Sequence, residues 1–112
     1  MNKIPEMKFV RDGKNEIKWL RFESNLQGIN TQIDITKFSE KFSIGGGINI
    51  YQFISNLPVY SNEVLVLENE DTSIFMRKSI SKNTNDVTFQ VKLHHKVFGE
   101  LLGSSFKLVD AD

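Results

Sequence analysis

The clearest alternation of apolar and polar residues runs from Asp86 to His95. Apolar side chains occupy every second position and polar side chains lie between them, with Val87, Phe89, Val91 and Leu93 set against Thr88, Gln90, Lys92 and His94. A period of two is typical of a β-strand with one buried face and one wet face. The same period appears between Ile29 and Ile35, so the pattern predicts a half-buried strand in each segment.

Two further strand-like runs, Met7–Arg11 and Glu16–Glu23, lie on either side of Asp12-Gly13. An Asp-Gly pair favours a tight turn, so these runs predict an N-terminal β-hairpin. In the second run apolar residues occur on both faces of the predicted strand, with Ile17 and Trp19 on one face and Leu20 and Phe22 on the other. Either both faces are partly buried, or a β-bulge shifts the register near Trp19.

The second half of the chain predicts several strands separated by polar turns. Val64–Leu67 is an uninterrupted apolar run, too short for a typical helix, that suits a central strand buried on both faces. The polar triplet Asn69–Asp71 predicts a turn, and Ser73–Ser79 is the expected hairpin partner. Ser104–Val109 is predicted as the last strand, whereas Lys96–Leu102 has no clear period.

The segment from Ile48 to Pro58 predicts a single helix. Its apolar residues recur at positions i, i+3, i+4 and i+7, which are Ile50, Phe53, Ile54 and Leu57. Asn49 suits the N-cap, Gln52 can complete a capping box, and Pro58 ends the helix. We therefore expect a helix over residues 49–57. A helix this short is unstable alone, so it must pack against a sheet.

Together these elements predict a mainly β protein. Between the alternating strand and the helix, Phe38, Phe42 and Ile44 indicate one more strand after a turn at Thr36–Lys37. About seven or eight short strands at hairpin spacing, with one helix, favour an antiparallel β-sandwich or a partly open barrel. Residues 1–112 fit a single domain by the usual size range.

Composition narrows the classes of function. The chain has 14 basic and 14 acidic residues, hence a formal net charge of zero. Proteins that bind nucleic acid usually carry a basic excess, so no nucleic acid partner is expected. No apolar run approaches the ~20 residues that cross a bilayer, and no signal peptide is indicated, so no membrane partner is expected. Cysteine is absent, which is compatible with the cytoplasmic location that we expect.

No catalytic motif stands out. His94 and His95 are adjacent, so their rings on a strand would point to opposite faces and are poorly placed to share a metal ion. Gly45-Gly46-Gly47 lacks the lysine of a phosphate-binding loop, and a hinge is the better interpretation. We therefore expect no enzyme activity, no metal and no cofactor. A hydrolase or isomerase built on either histidine would need that ring beside a carboxylate in a cleft.

Two groups of residues are candidates for binding. Residues 63–71 carry four acidic side chains and no basic one, namely Glu63, Glu68, Glu70 and Asp71. They form either a solvated edge and turn or an acidic patch that meets a basic partner. The aromatic residues Trp19, Tyr51 and Tyr60 could instead line a carbohydrate or peptide surface, with Tyr51 off the apolar stripe of the helix. The apolar run Ile17–Phe22, as an exposed edge strand, would permit a homodimer.

The order of features from Gly28 to Asp110 resembles the WapI-like bacterial immunity proteins and related small β-rich bacterial proteins. An alternating strand leads to a short helix, Ile50–Leu57, in which Phe53 and Leu57 match an aromatic-x-x-leucine pattern lengthened by one residue. A hairpin and two strands follow, at Val64–Leu67 with Ser73–Arg77, Val87–Leu93 and Ser105–Asp110. The resemblance implies a cytoplasmic protein that binds and neutralises a toxin domain, without catalytic residues.

The favoured function is therefore a non-enzymatic protein-binding module, with an immunity protein as its specific form. The alternative is a small-ligand or carbohydrate-binding β-domain, for which an apolar pocket or a groove with exposed aromatic side chains would be required.

Overall fold

The computed structural model describes residues 4–23, 30–40 and 50–109. Within these ranges it has eight strands, one α-helix and a 3₁₀ turn at Ile35–Lys37. In chain order the elements are β1 (Glu6–Arg11), β2 (Ile17–Glu23), β3 (Asn30–Asp34), β4 (Ser39–Glu40), α1 (Ile50–Ser55), β5 (Val64–Glu68), β6 (Thr72–Ile80), β7 (Val87–His95) and β8 (Gly99–Val109).

All eight strands belong to one mixed sheet, in the order β3-β2-β1-β8-β7-β6-β5-β4, which curves into a half-barrel. Neighbouring strands are antiparallel except β1 and β8, which are parallel, with Met7 opposite Leu108. The predicted fold class is confirmed in its partly open barrel form. The parallel pair was not predicted, because it joins opposite ends of the chain and no local turn signals it.

The inner face of the sheet carries the core and holds the helix. Buried side chains come from nearly every long strand and from the helix, among them Met7, Phe9, Leu20, Phe22, Ile33, Ile50, Ile54, Leu57, Ile74, Met76, Phe89, Val91, Leu93 and Phe106. Phe22 and Phe106 pack across the sheet with ring centroids 5.2 Å apart. Each fully buried aliphatic or Phe side chain contributes roughly 1.5–3 kcal/mol relative to exposure. The opposite, outer face is mostly polar.

Helix α1 packs as the sequence predicts, with its apolar side on the core. Ile50 and Ile54 of the helix are buried, Phe53 is half-buried against the core, and Leu57, two residues after the helix ends, is buried as well. The helical turn tightens at its end, where the Leu57 amide donates to the Ile54 carbonyl over 3.2 Å. The Lys78 ammonium donates to the carbonyl of Ser55 over 2.6 Å, and so satisfies a terminal acceptor of the helix. The predicted N-cap at Asn49 and the hinge at residues 45–47 lie outside the described residues.

A β-bulge accounts for the mixed apolar phases of β2. Val10 lies opposite Trp19 and Arg11 opposite Ile17, so the register shifts between these pairs. Because of this shift, Ile17 packs against the core while Trp19 lies on the outer face. The predicted hairpin is confirmed, and the Asp12 carboxylate holds its turn by accepting from the backbone amides of Lys14 and Glu16, over 2.9 and 3.1 Å.

Two expectations for individual strands are wrong. The Val64–Leu67 run is not a central strand buried on both faces, because β5 lies beside the two-residue β4 near the sheet margin. Val66 and Leu67 are both buried through a β-bulge, which inserts one extra residue and turns neighbouring side chains inward. β2 is not an exposed edge, since it pairs with both β1 and β3. The homodimer argument based on Ile17–Phe22 therefore loses its structural basis.

Candidate functional site at the turn end of the sheet

Two turns lie side by side at one end of the β6–β7 pair. The acidic turn, Asn69–Asp71, joins β5 to β6, and a second turn, Lys96–Phe98, joins β7 to β8. They meet because Thr72, the first residue of β6, pairs with His95, the last residue of β7. The Lys96 amide donates to the Asp71 carbonyl over 2.7 Å and links the two turns directly. We call this the turn end of the sheet.

The acidic turn is held by backbone hydrogen bonds that leave its carboxylates exposed. The Asn69 side-chain oxygen accepts from the amides of Asp71 and Thr72, over 2.9 and 2.8 Å. This Asx-type arrangement fixes the loop without using either acidic side chain. Glu70 and Asp71 are exposed, and neither carboxylate forms an ion pair with another described residue. Both carboxylates therefore face solvent without an ion-pair partner among the described residues.

Beside the acidic turn lies an apolar tip, formed by Val97, Phe98 and Leu101. These side chains are 74%, 73% and 54% exposed, the highest values among the large apolar residues that the structure describes. Grouped exposed apolar side chains are uncommon on monomeric proteins and mark sites of interaction. The sequence signal was present but ambiguous, because Lys96–Leu102 has apolar residues without a strand or helix period.

His95 makes the apolar tip rigid. Its Nδ1 accepts from the backbone amides of Val97 and Phe98, over 3.1 and 3.3 Å. Its ring also packs on the Phe98 ring, with centroids 4.8 Å apart. Gly99 follows with a φ of +75°, a conformation that glycine adopts without strain. The turn is therefore closed by side-chain and backbone geometry, and Phe98 projects from a defined position.

The structure divides the predicted acidic group. Glu68, Glu70 and Asp71 lie at or next to the turn end, but Glu63 lies before the opposite end of β5, about 17 Å away at ~3.3 Å per strand residue. The Glu63 carboxylate lies 3.0 Å from the Lys92 ammonium, and this hydrogen bond raises the pKa of Lys92. Glu63 is thus neutralised on the outer face.

The predicted aromatic group is also divided. Trp19 is half-buried on the outer face, with the Lys18 ammonium 5.0 Å from its ring centroid. Tyr51 is half-buried on the inner side, where its ring meets Phe9 edge-on at 5.8 Å. Tyr60 is exposed near the far end of β6. Trp19 and Tyr51 lie on opposite faces of the sheet and so do not share one surface, whereas Tyr51 and Tyr60 both lie near Lys78.

A cavity of about 330 Å³ lies beside Tyr51, between helix α1 and the sheet. Phe89 and Leu108 supply apolar walls, and Lys78 and Lys107 supply ammonium groups. Lys78 already donates to the Ser55 carbonyl, and Lys107 lies 3.6 Å from the Asp86 carboxylate. A smaller cavity of about 250 Å³ lies on the outer face beside Lys92 and Glu100.

The surroundings of the two histidines bear on the hydrolase or isomerase alternative. The Nδ1 atom of His95 is engaged by two backbone amides, and neither His94 nor His95 forms an ion pair within the described ranges. No group of three histidine or acidic side chains in the described part of the chain is arranged to hold a metal ion. No helix in the same part is long and apolar enough to cross a membrane.

Comparisons with known proteins leave the geometry as the guide to function. No family model, no curated protein and no solved structure matches this chain.

Proposed function

We propose that this chain is a non-enzymatic protein-binding module that recognises its partner through the turn end of the sheet. The observation that carries the proposal is the contact between the acidic turn and the apolar tip, linked by the Lys96–Asp71 hydrogen bond. Protein interfaces typically combine an apolar centre with a polar rim. The turn end has both parts within adjacent turns.

The specific form of the proposal is an immunity protein that neutralises a cognate bacterial toxin in the cytoplasm. Support comes from the resemblance of the sequence to WapI-like immunity proteins, in which an alternating strand, a short helix and further strands follow one another. An inhibitor of this kind needs only a rigid complementary surface and no catalytic group. The proposal includes no cofactor, no nucleic acid partner and no membrane partner.

The test is affinity purification of the full tagged chain from its own host cells. The expected result is one protein recovered in a one-to-one complex, with its gene next to that of this chain. Expression of that protein alone should be toxic, and co-expression with this chain should restore growth. The toxin proposal is wrong if the recovered protein is harmless, and the module proposal is wrong if no stoichiometric protein is recovered.

A second candidate function is the binding of a small ligand or carbohydrate. The observation that favours it is the cavity beside Tyr51, whose volume of about 330 Å³ lies at the lower end of the usual ligand-site range of ~300–1,000 Å³. Nuclear magnetic resonance titration with simple sugars and small carboxylic acids would test it. Saturable shifts at Tyr51 and Phe89 would support a ligand site, whereas shifts absent at millimolar concentrations would reject one.

A further inference from the structure

We infer that Phe98 is the anchor of the interface and that the partner protein offers an apolar pocket bordered by lysine or arginine side chains. The inference rests on the proposed protein-binding function and deepens it by stating the chemistry of the partner. Three features of the turn end support it: the exposure of the Phe98 ring, its fixed position and the sign of the surrounding charge.

Phe98 has the properties of an anchor residue. The residue is 73% exposed, so most of its surface is free to be buried by a partner. Aromatic side chains that fill a pocket at the centre of an interface contribute a large share of the binding energy. Val97 and Leu101, one and three residues away in the chain, are also exposed and would add apolar surface to the same contact.

The position of Phe98 is fixed before binding. Two backbone amides of its turn donate to His95 Nδ1, and the imidazole packs on the phenyl ring at 4.8 Å. An anchor that is already ordered loses less conformational entropy when it binds, so more of its burial appears as affinity. His95 is therefore a positioning residue for Phe98.

The charge around the apolar tip indicates which charge the partner should carry around its pocket. Glu70 and Asp71 are exposed next to the tip, and Lys96, which is also exposed, begins the turn that carries Phe98. Among these three described side chains the charge is negative in sum, and basic groups around the partner pocket would complement it. A second copy of this chain is disfavoured as the occupant, because tip-to-tip contact would bring two acidic turns together.

Photochemical cross-linking from defined positions tests the inference. We would replace Phe98 with p-benzoylphenylalanine in the full chain, express the variant in its host cells, irradiate, and identify adducts by mass spectrometry. The matched control carries the same probe at Tyr60, which is 53% exposed but lies at the other end of β6. Phe98→Ala and Val87→Ala then provide apolar truncations at opposite ends of the β6–β7 pair for affinity measurements with the cross-linked protein.

The expected result is one adduct from position 98 and none from position 60, with the cross-linked peptide beside lysine or arginine residues. Phe98→Ala should weaken binding by about 30-fold, as for a strong interface anchor, while Val87→Ala leaves it unchanged. His95→Ala should also weaken binding, and His95→Asn should restore part of it, since Asn can accept the same amide hydrogen bonds.

The failures are distinguishable. An adduct from position 60 but not from position 98 overturns the anchor inference and leaves the protein-binding function standing. An adduct of this chain with itself also overturns the inference, because the occupant is then a second copy. If the cross-linked pocket of the partner is bordered by acidic side chains, the stated partner chemistry is wrong. Recovery of no adduct from either position rejects the proposed function together with the anchor.

Discussion

The two ends of the β6–β7 pair both expose an aromatic side chain, yet they use it differently. At the far end, the Tyr60 amide donates to the Lys78 carbonyl over 2.8 Å, and its hydroxyl donates to the Ile80 carbonyl. At the turn end, the Phe98 ring offers no polar group and packs on the His95 ring. Exposure alone therefore does not identify a binding residue.

The difference has a physical reason. Tyr60 lies in the connection from α1 to β5, next to the bridge that pairs Val59 with Lys78 of β6. Its exposed ring belongs to the connection that attaches the helix to the sheet, and this connection is held by hydrogen bonds to β6. Phe98 lies in a turn that is complete without its ring, because His95 and Gly99 close it. We therefore expect changes at the far end to alter stability and changes at the turn end to alter binding.

The largest expected effect is at the helix that supports the far end. Ile54 is fully buried, so Ile54→Ala should lower the free energy of unfolding by about 2–5 kcal/mol, through lost burial and a residual cavity. Phe98→Ala is the contrast at the turn end, with an expected change within about 0.5 kcal/mol, as for exposed positions. Urea unfolding measures both. Equal destabilisation by the two changes would remove the distinction between the ends.

The next effect concerns the backbone of the turn end. Gly99→Ala should destabilise the protein by about 1–2 kcal/mol, because a Cβ is strained at a φ of +75°. The space around Gly99 is open, so steric contact is not the cause. Gly13→Ala is the matched control, since that position is also open and has no positive φ. Thermal unfolding should separate the two variants, and similar stabilities would argue against a strained turn.

A smaller effect should follow from the hydroxyl of Tyr60. Tyr60→Phe keeps the ring but removes the hydrogen bond to the Ile80 carbonyl, and should cost about 0.5–1.5 kcal/mol. Phe98→Tyr adds a hydroxyl at the turn end and should leave stability unchanged. Denaturant titration of both variants checks the comparison directly. A neutral Tyr60→Phe variant would show that the far end does not depend on this bond.

The smallest expected effect concerns the free energy of unfolding at low pH, and it involves neither end of the β6–β7 pair. Backbone amides of Glu16 and Lys14 lower the pKa of Asp12, and the Thr36 hydroxyl and amide lower that of Asp34. A lowered native pKa stabilises the fold above the ordinary aspartate range, about pH 4, and this contribution is lost as pH falls through the native pKa.

Asparagine at Asp12 or Asp34 keeps a side-chain oxygen acceptor but does not titrate. Asp12→Asn and Asp34→Asn should therefore flatten the fall in stability below about pH 4. Asp71→Asn is the control, since the carboxylate of Asp71 has no hydrogen-bond or ion-pair partner in the described part of the chain. Urea unfolding at several pH values would measure the slopes, and unchanged slopes for all three variants would contradict the prediction.

Much of the fold could be predicted because its signals are local. The period of two at Val87–Leu93, the Asp12-Gly13 turn and the helical spacing from Ile50 to Leu57 each act within a few residues, and the structure confirms all three. The Val64–Leu67 prediction failed because a continuous apolar run does not distinguish a doubly buried strand from a bulge.

The candidate site was only partly predictable. Glu70 and Asp71 were identified by charge, but Phe98 was not, because its exposure depends on a turn that His95 closes. Glu63 was grouped with them by its place in the sequence, and the outer-face contact with Lys92 separates it from them. Their proximity in the sequence suggested a single acidic patch, but the sheet places Glu63 beside Lys92 and leaves Glu70 and Asp71 at the turn end.

The sequence by itself determined the element types, because strand period, helix spacing and turn residues act between near neighbours. Only the tertiary structure decided that β1 lies parallel to β8 and that the turns at 69–71 and 96–98 meet. These features depend on pairing between distant segments. The free energy that stabilises these long-range pairings comes from burying the whole inner face of the sheet at once, so no single stretch of sequence indicates them.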